Sequence, residues 1–200
     1  LPVVVVAKRD RDPIVVCEGE KDVHTAVDAW GVTATTNPGG SGSWTQTCTE
    51  QLAGAGPVMV VLDRDDAGYL RGLALHLELA DRVGRFQLYL PAERDGIKDL
   101  TDHVRAGLGL EDLVPVSTAD VLDRMLAGGP GQAVKAGRWV RARLADDTDL
   151  SALFGAACPL LLRDLAGACA ADRGLADELL AAANTMATPA TDAGTGDVGD

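Results

Sequence analysis

Pro57-Val58-Met59-Val60-Val61-Leu62-Asp63-Arg64-Asp65-Asp66-Ala67-Gly68 is the stretch on which the fold class turns. Residues 57–62 are apolar on both alternating faces, the mark of an interior strand of a parallel sheet covered on both sides. The run then stops at a cluster of acids followed by Gly68, and a helical pattern occupies residues 67–83. A buried strand that leads through a short acidic loop into a helix is half of a β–α–β unit.

The same grammar extends in both directions. Upstream, Pro13-Ile14-Val15-Val16-Cys17 reads as a buried strand. A helix follows at 22–30, with Val23, Ala26, Val27 and Trp30 on one face and Gly31 as its stop. Residues 32–36 form a second strand, the glycine-rich loop 37–42 follows, and Ser43-Trp44-Thr45-Gln46 fits a capping box that opens a helix reaching about residue 54. Downstream, 85–90 reads as a fourth strand and 98–106 as a helix. These alternations predict an α/β fold: an open, doubly wound, mostly parallel sheet of about four strands flanked by helices. Residues 1–10 fit either a strand or a short packed helix.

The pattern changes after Pro115. Ser117-Thr118-Ala119-Asp120 signals a helix start, Gly128-Gly129-Pro130 ends that helix, and two or three further Ala/Leu-rich helices run to about Met186. The expected organisation is an α/β domain at 1–112, a small helical region at 113–186 and a disordered acidic tail at 187–200.

Composition narrows the class. With 46% hydrophobic and 24% charged residues the chain is of ordinary globular type, and with only 4% aromatic its core must rest on Val, Leu and Ala. No apolar run approaches the roughly 20 residues of a membrane span, so no membrane is expected and a cytoplasmic location follows by default. Cys17, Cys48, Cys158 and Cys169 contain no CxxC pair; zinc ribbons and disulfide frameworks are not expected, and Cys17 reads as a buried thiol. The chain begins at Leu1, as a processed protein or a piece of a longer one would. Its net charge of −12 opposes direct phosphate binding, unless metal ions or partner domains supply positive charge.

Ligands of open α/β sheets bind beyond the carboxyl ends of the strands. Glu18 stands at the first such end, Asp63 and Asp65 at the third, and Asp99 past the fourth. In an extended backbone, spacing two puts Asp63 and Asp65 on the same side. Two charges about 4 Å apart repel by roughly 1 kcal/mol in water and about 4 kcal/mol at an effective dielectric near 20. A hard divalent cation relieves this, and Mg²⁺ characteristically takes one or two carboxylates with water and phosphate oxygens. Any one of these acids alone reads as a solvated loop charge. Their convergence at successive strand ends, with Gly19 and Gly68 permitting close backbone approach, reads as a metal site.

Four segments carry a more specific likeness: Val16-Cys17-Glu18-Gly19-Glu20-Lys21-Asp22, Thr36-Asn37-Pro38-Gly39-Gly40, Asp63-Arg64-Asp65-Asp66-Ala67-Gly68 and Lys98-Asp99-Leu100-Thr101-Asp102. In order and spacing they resemble the Toprim domain of primases, topoisomerases and some nucleases, and most closely its primase branch in phages and plasmids. The resemblance covers roughly residues 13–108. It implies a DNA primase-type nucleotidyltransferase in which Asp63 and Asp65 hold Mg²⁺ (or Mn²⁺), Glu18 holds metal or acts as general base, and Asp99 assists a second metal. Lys21 and Lys98, with Gly19 and Gly68, are candidates for phosphate or nucleotide contact, although either lysine also suits pairing with a neighbouring acid.

Single-stranded DNA template, nucleoside triphosphates, and a helicase or other primase domains are the implied partners. No zinc ribbon and no GxxxxGK[ST] motor motif occurs in these residues. Phosphodiester hydrolysis by a Toprim nuclease and a non-catalytic docking module stay open at this stage. Tyr69 and Tyr89 read as packing residues rather than topoisomerase nucleophiles. His24, His76 and His103 are not spaced as a ligand set.

Overall fold

β-Branched runs become strands and the patterns between them become helices. A computed structural model describes residues 13–37 and 44–187. In chain order its elements are β1 (Ile14–Val16), α1 (Glu20–Trp30), β2 (Thr33–Thr35), α2 (Gln46–Leu52), β3 (Pro57–Val61), α3 (Asp66–Leu79), β4 (Arg85–Leu90), α4 (Leu100–Arg105) and β5 (Val114–Val116). The helices α5 (Thr118–Ala127), α6 (Pro130–Ala145), α7 (Ser151–Phe154), α8 (Cys158–Ala168) and α9 (Arg173–Ala187) complete it.

The sheet order is β2-β1-β3-β4-β5. β1 pairs in parallel with β2 and β3, β3 in parallel with β4, and β5 closes the far edge antiparallel to β4. The expected open, mostly parallel α/β sheet is therefore present, with a fifth strand that the sequence pattern does not announce. Pro115 sits in the middle of β5, opposite Tyr89. An edge strand tolerates proline because its outward N–H needs no partner, and three residues are too few to show a period.

Residues alternate between the two faces of the sheet. From β1 and β3, Val16, Val58 and Val60, with Leu62 just beyond, enter the larger core; Val15, Cys17 and Val61 enter the smaller one. The smaller core is covered by α1 and α4 through Val23, Ala26 and Leu100. The larger is continuous from the sheet through Leu73 of α3 to Val121, Leu122, Val140, Leu162, Leu165 and Leu179 of the later helices. Residues 118–187 thus bury their apolar faces against the same core as β3 and β4.

Among the described residues, one segment is long and apolar enough to be considered as a membrane span, residues 151–168. It is broken into α7, a 3-10 turn at Gly155–Ala157 and α8, and it turns Leu153, Phe154, Leu162 and Leu165 into the core. All four cysteines are free and buried, Cys17 as its apolar run led one to expect.

Two local readings need correction. The helix after the glycine-rich loop is capped by Thr45, whose hydroxyl accepts the Cys48 N–H at 3.4 Å; Ser43 lies outside the described residues. The helix expected at 67–83 ends at Leu79, and residues 80–84 form the turn into β4. The readings for residues 1–10, most of the loop 37–42 and the tail from 188 onward also lie outside the described residues.

Candidate active site

The chain leaves β1 toward β2 on one side of the sheet, and β3 leads to β4 on the other. Between β1 and β3 the winding reverses, which opens a crevice at the carboxyl ends of these two strands. Val16 is in register with Val60. Glu18, two residues past β1, and Asp63, two residues past β3, therefore stand on adjacent strand ends at the mouth of this crevice.

The loop after β3 is fixed by close packing. A Cβ on Gly68 would lie 2.4 Å from the carbonyl oxygen of Asp63 and 2.9 Å from its nitrogen, so the first turn of α3 rests directly on the Asp63 backbone. Asp65 is the N-cap of α3, its Oδ1 accepting the Gly68 N–H at 2.8 Å. The two acids of the Asp-x-Asp pair consequently differ in local role: Asp65 secures the helix, whereas Asp63 is left for the crevice. Gly19 differs from Gly68, because a Cβ there would meet only Asp22 Oδ2 at 3.8 Å.

Two more acids reach the crevice from α1 and α4. Asp99 caps α4, its Oδ1 accepting the Asp102 N–H at 2.7 Å, while Oδ2 lies 3.5 Å from Lys21 Nζ. Lys21 thus pairs with an acid. Lys98 is exposed, and its backbone carbonyl accepts the Arg64 N–H at 2.9 Å. Asp22, only 6% exposed, accepts the Thr101 N–H at 3.1 Å and the Thr101 hydroxyl at 2.6 Å. Sequence reasoning did not single it out as a site residue.

The field at the crevice is negative. Burial first, and then Glu18, Asp22, Asp99 and Asp65 in turn, push the Asp63 carboxyl from 3.8 up to about 8. Arg71 is the cation beneath them. It is buried, its Nη2 donates to Asn37 Oδ1 at 2.7 Å, and burial lowers its pKa against the pull of Glu18 and Asp63. Behind the loop, Arg64 reaches the Pro91 carbonyl and lies 3.5 Å from Glu93, which Arg124 of α5 holds at 2.6 Å. Asp66 pairs with Lys135 of α6.

These residues suit a hard divalent cation. The donors are carboxylate oxygens, and the negative charge that, after burial, raises the Asp63 pKa is the charge such an ion offsets. Among the described residues no group of three or more acid, imidazole or thiol side chains is placed to hold a metal ion. Mg²⁺ needs only one or two carboxylates and completes its shell with water, a requirement that Asp63 and Glu18 address from neighbouring strands.

The histidines and tyrosines take structural places. His103 is fully buried; its Nδ1 accepts the Ala92 N–H at 3.0 Å, so Nε2 carries the proton and donates to Gly109 O at 2.9 Å. His76 packs edge-on against Phe86, and His24 is exposed on α1. Tyr69 is buried in the larger core, and Tyr89 packs against the smaller one.

No family model and no curated protein matches the chain. Among solved structures it is similar to the DnaG catalytic core (TM-score 0.43, 18% identity, 80% of this chain and 53% of that one). It is also similar to a DNA primase domain from Pseudomonas aeruginosa (0.46, 17%, 87% and 56%) and to the DnaG primase catalytic domain bound to ssDNA (0.45, 19%, 88% and 52%). The chain spans about half the length of these structures.

Proposed function

We propose that this chain is a Toprim-type core of the primase-like branch, carrying out metal-dependent nucleotidyl transfer on nucleic-acid phosphates. The observation that supports this best is the approach of Glu18 to Asp63 across the β1/β3 switch point, where burial and the surrounding acids raise the Asp63 pKa to about 8. Acids from three of the motif segments quoted above act on Asp63 there: Glu18 and Asp22, Asp65, and Asp99.

In this reading Asp63 and Glu18 are the main holders of Mg²⁺ or Mn²⁺, with the free oxygen of Asp65 beside them and Asp99 toward a second ion. The ion, when bound, supplies Lewis-acid charge that steadies phosphate oxygens. Asp63 must shed its proton before it can ligate. Glu18 would hold metal or take the proton of an attacking 3′-hydroxyl. Gly68 keeps the Asp63 backbone pressed against α3, so the carboxylate is aimed by main chain rather than by a flexible loop. Lys21, paired with Asp99, and Lys98, both exposed, are the proposed phosphate contacts. Single-stranded template, nucleoside triphosphates, and a helicase or other primase domains are the proposed partners, and the cytoplasm the proposed location. With a net charge of −12, the grip on template falls to those partner domains.

Primer synthesis and DNA nicking, measured side by side with Mg²⁺ and Mn²⁺ and with a template-binding domain supplied, test this. Metal-dependent primer synthesis that is lost in Asp63→Asn and Glu18→Gln is the expected result. Full activity in both variants would overturn the assignment, and nicking without nucleotides would move it to hydrolysis.

A further inference from the structure

Beside the acidic crevice, α3, α6 and the chain entering α2 enclose a second cavity of about 260 Å³. Trp44, Arg71, Leu75, Leu77, Glu78 and Arg143 line it. Its chemistry is opposite in sign to that of the crevice. Two guanidiniums face one carboxylate, in a chain whose net charge is −12.

The arginines are incompletely paired. Arg71 is 6% exposed, and only its Nη2 has an acceptor, Asn37 Oδ1; its Nε and Nη1 are buried with none. Arg143 stacks 5.2 Å above the Trp139 ring and pairs with Asp146 at 3.6 Å, while its Nε also lacks an acceptor. A buried guanidinium with open donors is costly unless an acceptor arrives. Both side chains line the cavity. Glu78 is already engaged, receiving the Thr49 hydroxyl at 3.5 Å. The indole of Trp44 is held in place by its own N–H on Thr49 Oγ1 at 2.9 Å, leaving a flat aromatic wall beside the two cations.

We propose that this cavity is a phosphate-binding subsite, with Arg71 and Arg143 receiving the phosphate and Trp44 stacking against an attached base. Forked N–H donors that match phosphate oxygens, next to an aromatic surface, are the pairing by which arginine and tryptophan recognise nucleotides. The phosphate belongs either to a free nucleoside triphosphate or to a nucleic-acid strand. The subsite does not depend on a metal in the acidic crevice.

Calorimetric titration of the whole chain in EDTA with inorganic tripolyphosphate, ATP and an oligothymidylate tests it. Binding of at least one probe is expected, weakened tenfold or more by Arg143→Ala and by Arg71→Lys, and unchanged in Asp63→Asn. Circular dichroism confirms that each variant is folded, and the half-exposed Arg143 gives a variant that spares the core. Binding of ATP and tripolyphosphate identifies a free nucleotide as the source, and binding of the oligonucleotide alone identifies a strand. Absence of binding by all three probes overturns the proposal, as does wild-type affinity in both arginine variants or an equal loss in Asp63→Asn.

Discussion

Replacing Asp63 with Asn tests the electrostatics of the crevice through stability alone. The native state keeps a proton on Asp63 up to about pH 8, whereas an unfolded chain releases it near 4. The folded pKa lies above the unfolded one. The contribution from that proton is therefore complete below about pH 4 and is lost as pH rises through about 8. Four powers of ten in proton affinity correspond to roughly 5–6 kcal/mol. Asp63 is only partly buried, and solvent screening reduces this to about 2 kcal/mol.

Asp63→Asn removes the loss. In metal-free buffer its advantage over wild type grows between about pH 4 and 8 and is full at pH 9, where about 2 kcal/mol raises Tm by roughly 4–8 °C for a chain of this size. Adding Mg²⁺ at pH 9 should raise the Tm of wild type and leave the variant nearly unmoved. Thermal melts at pH 5 and 9, with EDTA or Mg²⁺, provide the four numbers. If Asp63→Asn is no more stable than wild type at pH 9 in EDTA, burial and the negative charges of Glu18, Asp22, Asp99 and Asp65 do not raise the Asp63 pKa as described. An equal response of both proteins to Mg²⁺ would place the ion elsewhere.

Three further outcomes are expected. Gly68→Ala should cost about 3 kcal/mol in urea denaturation, because its Cβ meets main chain at Asp63. Gly72→Ala meets only the flexible end of Leu62 at 2.6 Å and gains helix propensity, so it should fall within about 1 kcal/mol of wild type; the reverse ranking contradicts the packing described. His103→Leu should destabilise by about 3 kcal/mol by stranding the Ala92 N–H and the Gly109 carbonyl, with Mg²⁺ affinity of the folded protein unchanged; lost affinity would make His103 a ligand after all. Asp99→Ala should cost about 1 kcal/mol as a lost N-cap, whereas Asp99→Asn keeps the cap; equal losses in the two would show that the charge, not the cap, is what stabilises α4.

The strands most legible from sequence were those with a single environment along their length. β3 is apolar on both faces and ends abruptly in acids, so its position, its direction and the place of Asp63 followed together. β5 carries no such signal, since a proline in a three-residue strand has neither period nor propensity and exists only because β4 offers an edge. Asp22 and Arg71 were hidden for a related reason. Each is a charged residue on a helix whose burial depends on a distant partner, Thr101 at 79 positions away and Asn37 at 34. The division of labour between Asp63 and Asp65 was also out of reach, because spacing two places both on one side only while the backbone stays extended. In the structure α3 begins at Asp66, and Asp65 is already turned to cap it.

The pairing of Lys135 with Asp66 ties position 135 to the genetics of the crevice. Asp66 adjoins Asp65 and lies three residues past Asp63, and a cation from α6 balances it. Position 135 is exposed on a helix that, taken alone, reads as scaffold. A substitution there reaches the acidic loop by charge without touching it. Removing that cation leaves Asp66 unbalanced and the loop more negative, so in a screen for metal affinity a substitution there should score as tighter, not weaker, binding.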